Sequence, residues 1–402
     1  MPAAAFPALI PRAARPLLEE VRVGYPVVTL TGPRQSGKTT LAQLAFADKP
    51  YVSLETPDER EFAHTDPRGF LARFPSGAII DEVQHVPALL SWIQTEVDAR
   101  QQMGRYVLTG SQNFALLALL AQVGQSLAGR SALVQLLPLS LAELSAAGRL
   151  PSDEQALDAT ILRGGYPPLH ARPVAPARWY GDYVMSYLER DVRQITQVHD
   201  LSTFQRFLKL CAGRTGQLLN LANLAVETGI AQSTARAWLS VLEASYVVFL
   251  LPPHHRNLGK RVVKTPKLYF IDTGLAAALL GIAEPAQLAT HPLRGALFET
   301  LIMGEFLKAR FNAGWPSNLY FWRDNVGLEV DLLLETPQAL HPVEIKSTAT
   351  VRGELFAGLR KWCAAAAAAG DAVGTPRLVC AAPHNHEREG IAVRRWQDAT
   401  SQ

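Results

Sequence analysis

The sequence predicts an α/β chain whose first 150 residues form a doubly wound parallel sheet, with a second α/β segment near its end. Three observations lead there. Over residues 1–150, short β-branched apolar runs alternate with helical patterns: VVTLT (27–31), YVSL (51–54), AIID (78–81), YVLTG (106–110) and ALVQLL (132–137). Continuous apolar runs of this kind are what strands buried on both faces look like, and gaps of about 20 residues leave room for a helix that returns the chain parallel. From residue 271 to 402 a further α/β pattern follows, beyond a basic helical stretch.

The composition removes several classes. At 402 residues the chain is long enough for several domains, and a 48% hydrophobic, 19% charged composition is not that of a disordered chain. No apolar run reaches the roughly 18 residues of a membrane span. The N-terminus places no basic segment ahead of a long apolar core, which points away from secretion. Cys211, Cys363 and Cys380 lie far apart without CxxC pairing, so a disulfide framework or a cysteine zinc site is not expected, and a reducing cytoplasm is. The net charge of +3 is uneven: residues 201–270 hold nine Lys/Arg against two Asp/Glu. A basic block in an otherwise acidic chain suggests a polyanion partner.

The first run, 27–31, opens into GPRQSGKTT (32–40). This is GxxxxGK[ST] between a predicted strand and a predicted helix, the setting of a phosphate-binding loop. Gly32 and Gly37 let the backbone curl so that successive N–H groups face inward onto phosphate oxygens at a helix N-terminus, in a loop made of Gly32, Pro33, Arg34, Gln35, Ser36, Gly37, Lys38, Thr39 and Thr40. Lys38 is expected to reach the β- and γ-phosphates of a nucleotide, and Thr39 to offer its hydroxyl to Mg²⁺. The third run, GAIIDEVQ (77–84), delivers Asp81 to the end of a strand as a second Mg²⁺ partner, with Glu82 beside it to activate the attacking water. The fourth ends in TGSQN (109–113), where Ser111 or Asn113 is the polar group expected between the acidic pair and the γ-phosphate. Arg130, ahead of the fifth run, is either an arginine that reaches a neighbouring copy's nucleotide or an ordinary surface residue.

Residues 151–200 read as a helical lid interrupted by GGYPP (164–168), with Arg163 as a further candidate sensor. Trp179, Tyr180, Tyr183, Tyr187 and Leu188 recur at helical spacing and are expected to face a core. Residues 201–270 contain two short amphipathic helices that part at Gly229, followed by strand-like SYVVFLL (245–251) and KLYFID (267–272). Helix-turn-helix followed by a hairpin is a winged helix. Gln232, Ser233, Thr234 and Arg236 would start its second helix, and Arg256, Lys260, Arg261 and Lys264 its basic tip. DNA phosphates are the expected partner, and a protein is the alternative.

In residues 271–402, GLEVDLLLE (327–335) and HPVEIKS (341–347) alternate as strands. Residues two apart share a strand face, so Glu329 pairs with Asp331 and Glu344 with Lys346, while Val330, Leu332, Leu334 and Ile345 point to the core. Asp331, Glu344 and Lys346 would then converge, with Glu299 on the preceding helix as a further ligand. Carboxylates hold Mg²⁺ and the lysine stabilises charge on a phosphodiester. The spacing D-x12-ExK is that of PD-(D/E)XK nucleases, with Val330 in place of the usual proline. CAAAAAAG (363–370) is a helix former without functional content.

With IIDEVQ, LTGSQN, AGR, RGGYP, YLERDV, FIDTGL, GALFE and EVDLLLE…VEIKS following the P-loop in this order, the chain closely resembles the prokaryotic AAA-type ATPases of the DUF4143 family. The resemblance implies an AAA+-like ATPase domain (1–150), a helical lid (151–200), a winged helix (201–270) and a restriction-endonuclease-like α/β domain (271–402). It implies nucleotide contacts from Gly32 to Thr40, hydrolysis roles for Asp81 and Glu82, and a nuclease-type cluster at Glu299, Asp331, Glu344 and Lys346. The expected activity is an ATP- and Mg²⁺-dependent motor on DNA, assembled as a homo-oligomeric ring, with branched DNA as one candidate substrate. A nucleotide-gated switch controlling a metal-dependent nuclease or a protein partner is the alternative.

Overall fold

The computed structural model describes residues 9–111, 127, 129–151, 156–188, 200–254 and 264–401; the side chains of Tyr187 and Leu188 are outside that set. Asn113, Arg256, Lys260 and Arg261 therefore lie outside the described residues, as does most of YLERDV (187–192).

The five N-terminal runs are all strands: β1 (Val27–Thr31), β2 (Tyr51–Ser53), β3 (Ile79–Asp81), β4 (Tyr106–Gly110) and β5 (Ser131–Gln135). They form one parallel sheet in the order β2-β3-β4-β1-β5. Every residue of β1, β3 and β4 is buried, which explains their unbroken apolar pattern. Alternate residues feed two cores. Val28, Leu30, Ile79 and Val107 pack with helices Arg15–Gly24 and Lys38–Ala45, whereas Val27, Ile80 and Leu108 pack with helices Pro57–Thr65, Pro67–Ala72 and Leu89–Arg100. All five strands run the same way, so the loops after β1, β3 and β4 meet at one edge of the sheet.

In the segment expected as a lid, the described residues form helices Ala156–Arg163, Pro167–Ala171 and Pro176–Tyr183. Of the expected aromatic stripe, Tyr180 and Tyr183 are buried; Trp179, partly buried, stacks on Tyr183 at 5.2 Å between ring centres. Helix Leu201–Ala212, β6 (Gln217–Leu218), helices Leu221–Thr228 and Gln232–Ala244, β7 (Val248–Leu251) and β8 (Lys267–Phe270) then follow, with an antiparallel sheet ordered β6-β8-β7. Gly229 caps helix Leu221–Thr228 at φ 81°, a conformation glycine adopts without steric cost.

Helix Arg294–Asn312 precedes a six-stranded sheet ordered β13-β14-β12-β11-β10-β9, built from β9 (Leu319–Arg323), β10 (Glu329–Glu335), β11 (Leu340–Lys346), β12 (Arg377–Cys380), β13 (His386–Arg388) and β14 (Ile391–Arg395). The alanine run lies at the end of helix Ala357–Ala368. One strand expectation fails. Val330, Leu332 and Leu334 do not share a face, because a bulge against β9 lies between Val330 and Leu333. Val330 and Leu333 enter one core and Leu332 another. The lid, the three-stranded sheet and much of the six-stranded sheet share a single core, from Leu137 to Ala399. No described helix is long and apolar enough to cross a membrane.

Candidate functional site

The loop after β1 is shaped by two glycines. A Cβ on Gly32 (φ 153°) would lie 2.1 Å from the Leu136 carbonyl oxygen, and Gly37 (φ 92°) is left-handed where helix Lys38–Ala45 begins. Lys38 is buried, and its ammonium donates to the carbonyls of Gly32 (3.0 Å) and Pro33 (2.8 Å), inside the curl of the loop. Arg34 lies 3.6 Å from Glu55, Gln35 is left-handed (φ 65°), and Ser36 is fully buried.

Asp81, at the end of β3, faces this loop across the sheet edge. Its carboxylate accepts hydrogen bonds from Thr39 (3.1 Å), Tyr51 (2.8 Å) and Thr109. Burial and the adjoining Asp81 carboxylate push the Tyr51 phenol up to about 12, so Tyr51 is a fixed donor. Glu82 sits in a left-handed conformation (φ 55°, ψ 45°). Ser111 donates to its carboxylate at 3.0 Å, and the Gln84 amide donates to it as well. Among the described residues, only Glu55, Glu82 and His85 bring one ligand atom each within 4.8 Å of one another. Burial lowers the His85 pKa and favours the neutral imidazole.

These donors suit a phosphate chain with a hard cation. A glycine cradle that a Cβ would fill surrounds a buried ammonium, and the Thr39 hydroxyl and Asp81 carboxylate oxygens meet where Mg²⁺ could be held.

Sequence reasoning missed the clamp behind the loop. Arg12 donates to the Ser36 carbonyl (2.6 Å), the Leu137 carbonyl (2.6 Å) and Glu143 (3.0 Å). Glu143 also completes a capping box with Ser140. Contacts spanning more than 100 residues leave no local pattern in the sequence. Beside Arg12, a cavity of about 300 Å³ is lined by Leu9, Ile10, Thr40, Leu44, Pro167 and His170. Tyr51, Gln84 and Thr109 were missed too, although Gln84 and Thr109 lie inside quoted motifs.

Two arginines lie elsewhere. Arg130 precedes β5, at the opposite sheet edge from the P-loop, and pairs with Asp98 on the surface. Arg163 donates to the Leu169 carbonyl within the lid (2.9 Å).

In the 201–270 segment, Gln232, Ser233, Arg236 and Lys264 are exposed and Thr234 is half-buried. The basic block is less free than its count suggests. Arg214 pairs with Glu227 (2.6 Å), and Lys267 is buried, facing Glu299 (3.2 Å) and Glu329 (2.5 Å).

The C-terminal residues do come together. The β10–β11 ladder runs only to Leu332–Val343, and beyond it the Asp331 carboxylate accepts the Ile345 N–H at 2.8 Å. Lys346 lies 3.0 Å from Asp331 and 2.6 Å from Glu344. Burial, with Asp331 alongside, pushes Glu344 up to about 7. Glu299 is raised by burial and by Asp331.

Comparison with known proteins places this geometry. Residues 24–145 match the family described as AAA domain, and residues 154–286 and 294–395 match two families described as domains of unknown function, DUF8612 and DUF4143. An uncharacterised protein of Mycobacterium tuberculosis is 35% identical over 328 residues, covering 81% of this chain and 71% of its own length, and a Mycobacterium bovis protein matches equally. Among solved structures, a Walker-type ATPase of Pyrococcus abyssi is similar at 16% identity and a TM-score of 0.46, covering 66% of this chain and 94% of its own. The ORC2 protein of Aeropyrum pernix is similar at 12% identity and a TM-score of 0.42, covering 72% and 98%.

Proposed function

The chain belongs to the family of AAA-type P-loop ATPases that carry a DUF4143 domain, and we propose that it hydrolyses ATP to drive work on DNA. The observation that carries the reading is the convergence of Lys38, Thr39, Asp81 and Glu82 on one sheet edge, with Ser111 oriented onto Glu82.

Lys38 leaves the Gly32 and Pro33 carbonyls for the β- and γ-phosphate oxygens, an exchange of acceptors that keeps a buried ammonium partnered throughout. Thr39 and Asp81 would hold Mg²⁺, which when bound would neutralise charge on the phosphates. Glu82 accepts the proton of the attacking water, and Ser111 and Gln84 fix the direction of its carboxylate. The cavity beside Arg12 takes the base, between the N-terminal segment and the lid. Arg130 lies at the opposite sheet edge from its own loop and pairs with Asp98, so in this reading it either serves a neighbouring copy in a ring or is an ordinary surface residue.

The DNA part rests on the 201–270 segment. Helix, short strand, two helices and a hairpin in the sheet order β6-β8-β7 support a winged helix, with Gln232, Ser233 and Arg236 exposed at the start of its second long helix. The helix–β9–β10–β11–helix–β12 order supports a nuclease-like fold for the C-terminal segment, which we assign as fold only.

The test is steady-state ATP hydrolysis without DNA and with single strand, duplex, fork and four-way junction. Stimulation by at least one of these is expected. Turnover indifferent to all of them at low and moderate salt defeats the DNA reading and leaves the ATPase reading standing.

A further inference from the structure

The nuclease-like fold implies a divalent cation at Asp331 and Glu344, and the residues present do not fit one. A hard cation needs several carboxylate oxygens turned toward a common point and free to bind it. Here each carboxylate already faces one of the chain's own cations, and the one buried oxygen left without a hydrogen-bond partner among them, Glu344 Oε2, is a single ligand atom and not a set. Glu299 receives the Lys267 ammonium at 3.2 Å and the Tyr269 hydroxyl. Glu329 receives Lys267 at 2.5 Å and Arg323 at 3.3 Å. Asp331 is held by the Ile345 N–H and by Lys346, and Glu344 lies against the same lysine. Glu299, Asp331 and Glu344 are all described, yet their oxygens do not form a set that converges within 4.8 Å, as Glu55, Glu82 and His85 do.

Lys267 is the residue that changes the chemistry of this cluster. It belongs to β8, in the three-stranded sheet, whereas its partners lie on helix Arg294–Asn312 and on β10. Its side chain is 5% exposed, and its ammonium lies 5.5 Å from the centre of the Phe321 ring. A buried ammonium is tolerated only with paired carboxylates, so withdrawal would leave Lys267 and Glu299 without a counter-charge, Glu329 alone keeping Arg323.

We propose that Lys267 is the resident cation of this centre: the cluster is a metal-free ionic staple joining the three-stranded sheet to the C-terminal sheet, and it takes a divalent cation only when Lys267 is removed. The comparison with a metal site rests on the nuclease-like reading of the fold, but the charge arrangement itself does not, and none of it depends on ATP hydrolysis.

The test uses full-length protein without nucleotide, carrying Asp81→Asn to silence the P-loop edge, and titrates Mn²⁺ by calorimetry and electron paramagnetic resonance. The parent protein is expected to show no site lost on adding Asp331→Asn, and its thermal midpoint is expected to be the same in Mn²⁺ and in EDTA. Lys267→Met is expected to gain one Mn²⁺ site that Asp331→Asn abolishes, whereas Lys267→Arg gains none. A parent protein that binds or is stabilised by Mn²⁺ through Asp331 overturns the proposal, and so does a folded Lys267→Met protein that gains no site. If Lys267→Met does not fold, the parent's response to Mn²⁺ and EDTA decides the matter.

Discussion

Glu82 holds a backbone conformation that costs a residue with a Cβ on the order of 1 kcal/mol, and such strain persists where neighbours over-determine it. Ser111 and Gln84 do so here, aiming the carboxylate out of the β3 edge. Glu82→Gln should therefore lower turnover about 10²- to 10⁴-fold while ATP still binds, measured by hydrolysis beside equilibrium nucleotide binding. Loss of binding in that variant would make Glu82 structural. Glu344 supplies a pH prediction. Its carboxyl is raised to about 7 in the fold, above the ordinary value near 4.5, so the folded chain binds its proton more tightly than the unfolded chain does. That stabilisation is complete below about pH 4.5 and is lost as pH rises through about 7. Relative to Glu344→Gln, the unaltered protein should thus lose thermal stability between those values; parallel stability curves would refute the assignment.

At the scale of elements, the family's glycine motifs acquire a common cause. A Cβ on Gly164 would meet the Tyr180 hydroxyl at 2.2 Å, and one on Gly274 the same tyrosine at 2.5 Å. RGGYP and FIDTGL meet there: Asp272 caps helix Thr273–Leu279, accepts the Gly165 N–H at 2.7 Å and takes the Tyr180 hydroxyl at 2.6 Å. Asp272→Ala orphans these donors and should cost about 3 kcal/mol or more, read as a fall in the unfolding midpoint. The helix pair around Gly229 yields a different prediction. If Arg236 contacts phosphate, Arg236→Ala should weaken binding to all DNA sequences alike and reduce the salt slope by about one. An unchanged slope would move the DNA surface off this helix.

At the scale of the whole molecule, one core runs from the lid through the three-stranded sheet to the C-terminal strands, while the parallel sheet keeps two cores of its own. The two halves touch beside the nucleotide loop. The Tyr246 hydroxyl, at the end of helix Gln232–Ala244, lies 2.8 Å from Thr31, the residue before Gly32, and accepts from Gln135 at 3.2 Å. If DNA bound to that helix is felt at the P-loop through this contact, Tyr246→Phe should leave DNA-free hydrolysis within about twofold and cut DNA stimulation about fivefold or more. Equal stimulation in both proteins would place the coupling elsewhere.

By itself the sequence determined the five strands of the parallel sheet, the glycine loop, the placing of Asp81 and Glu82, and the helix pair around Gly229. Each of these is written locally, in a run of buried residues, a glycine at a left-handed position or a periodicity of 3.6. Only the tertiary structure decided what Arg12, Tyr51, Tyr246 and Lys267 do, because their partners lie from 24 to more than 200 residues away. Lys267 shows the physical reason most plainly. Counted along the chain it belongs to a basic block, but folding buries its ammonium between Glu299 and Glu329, where its charge holds two segments together and is hidden from solvent.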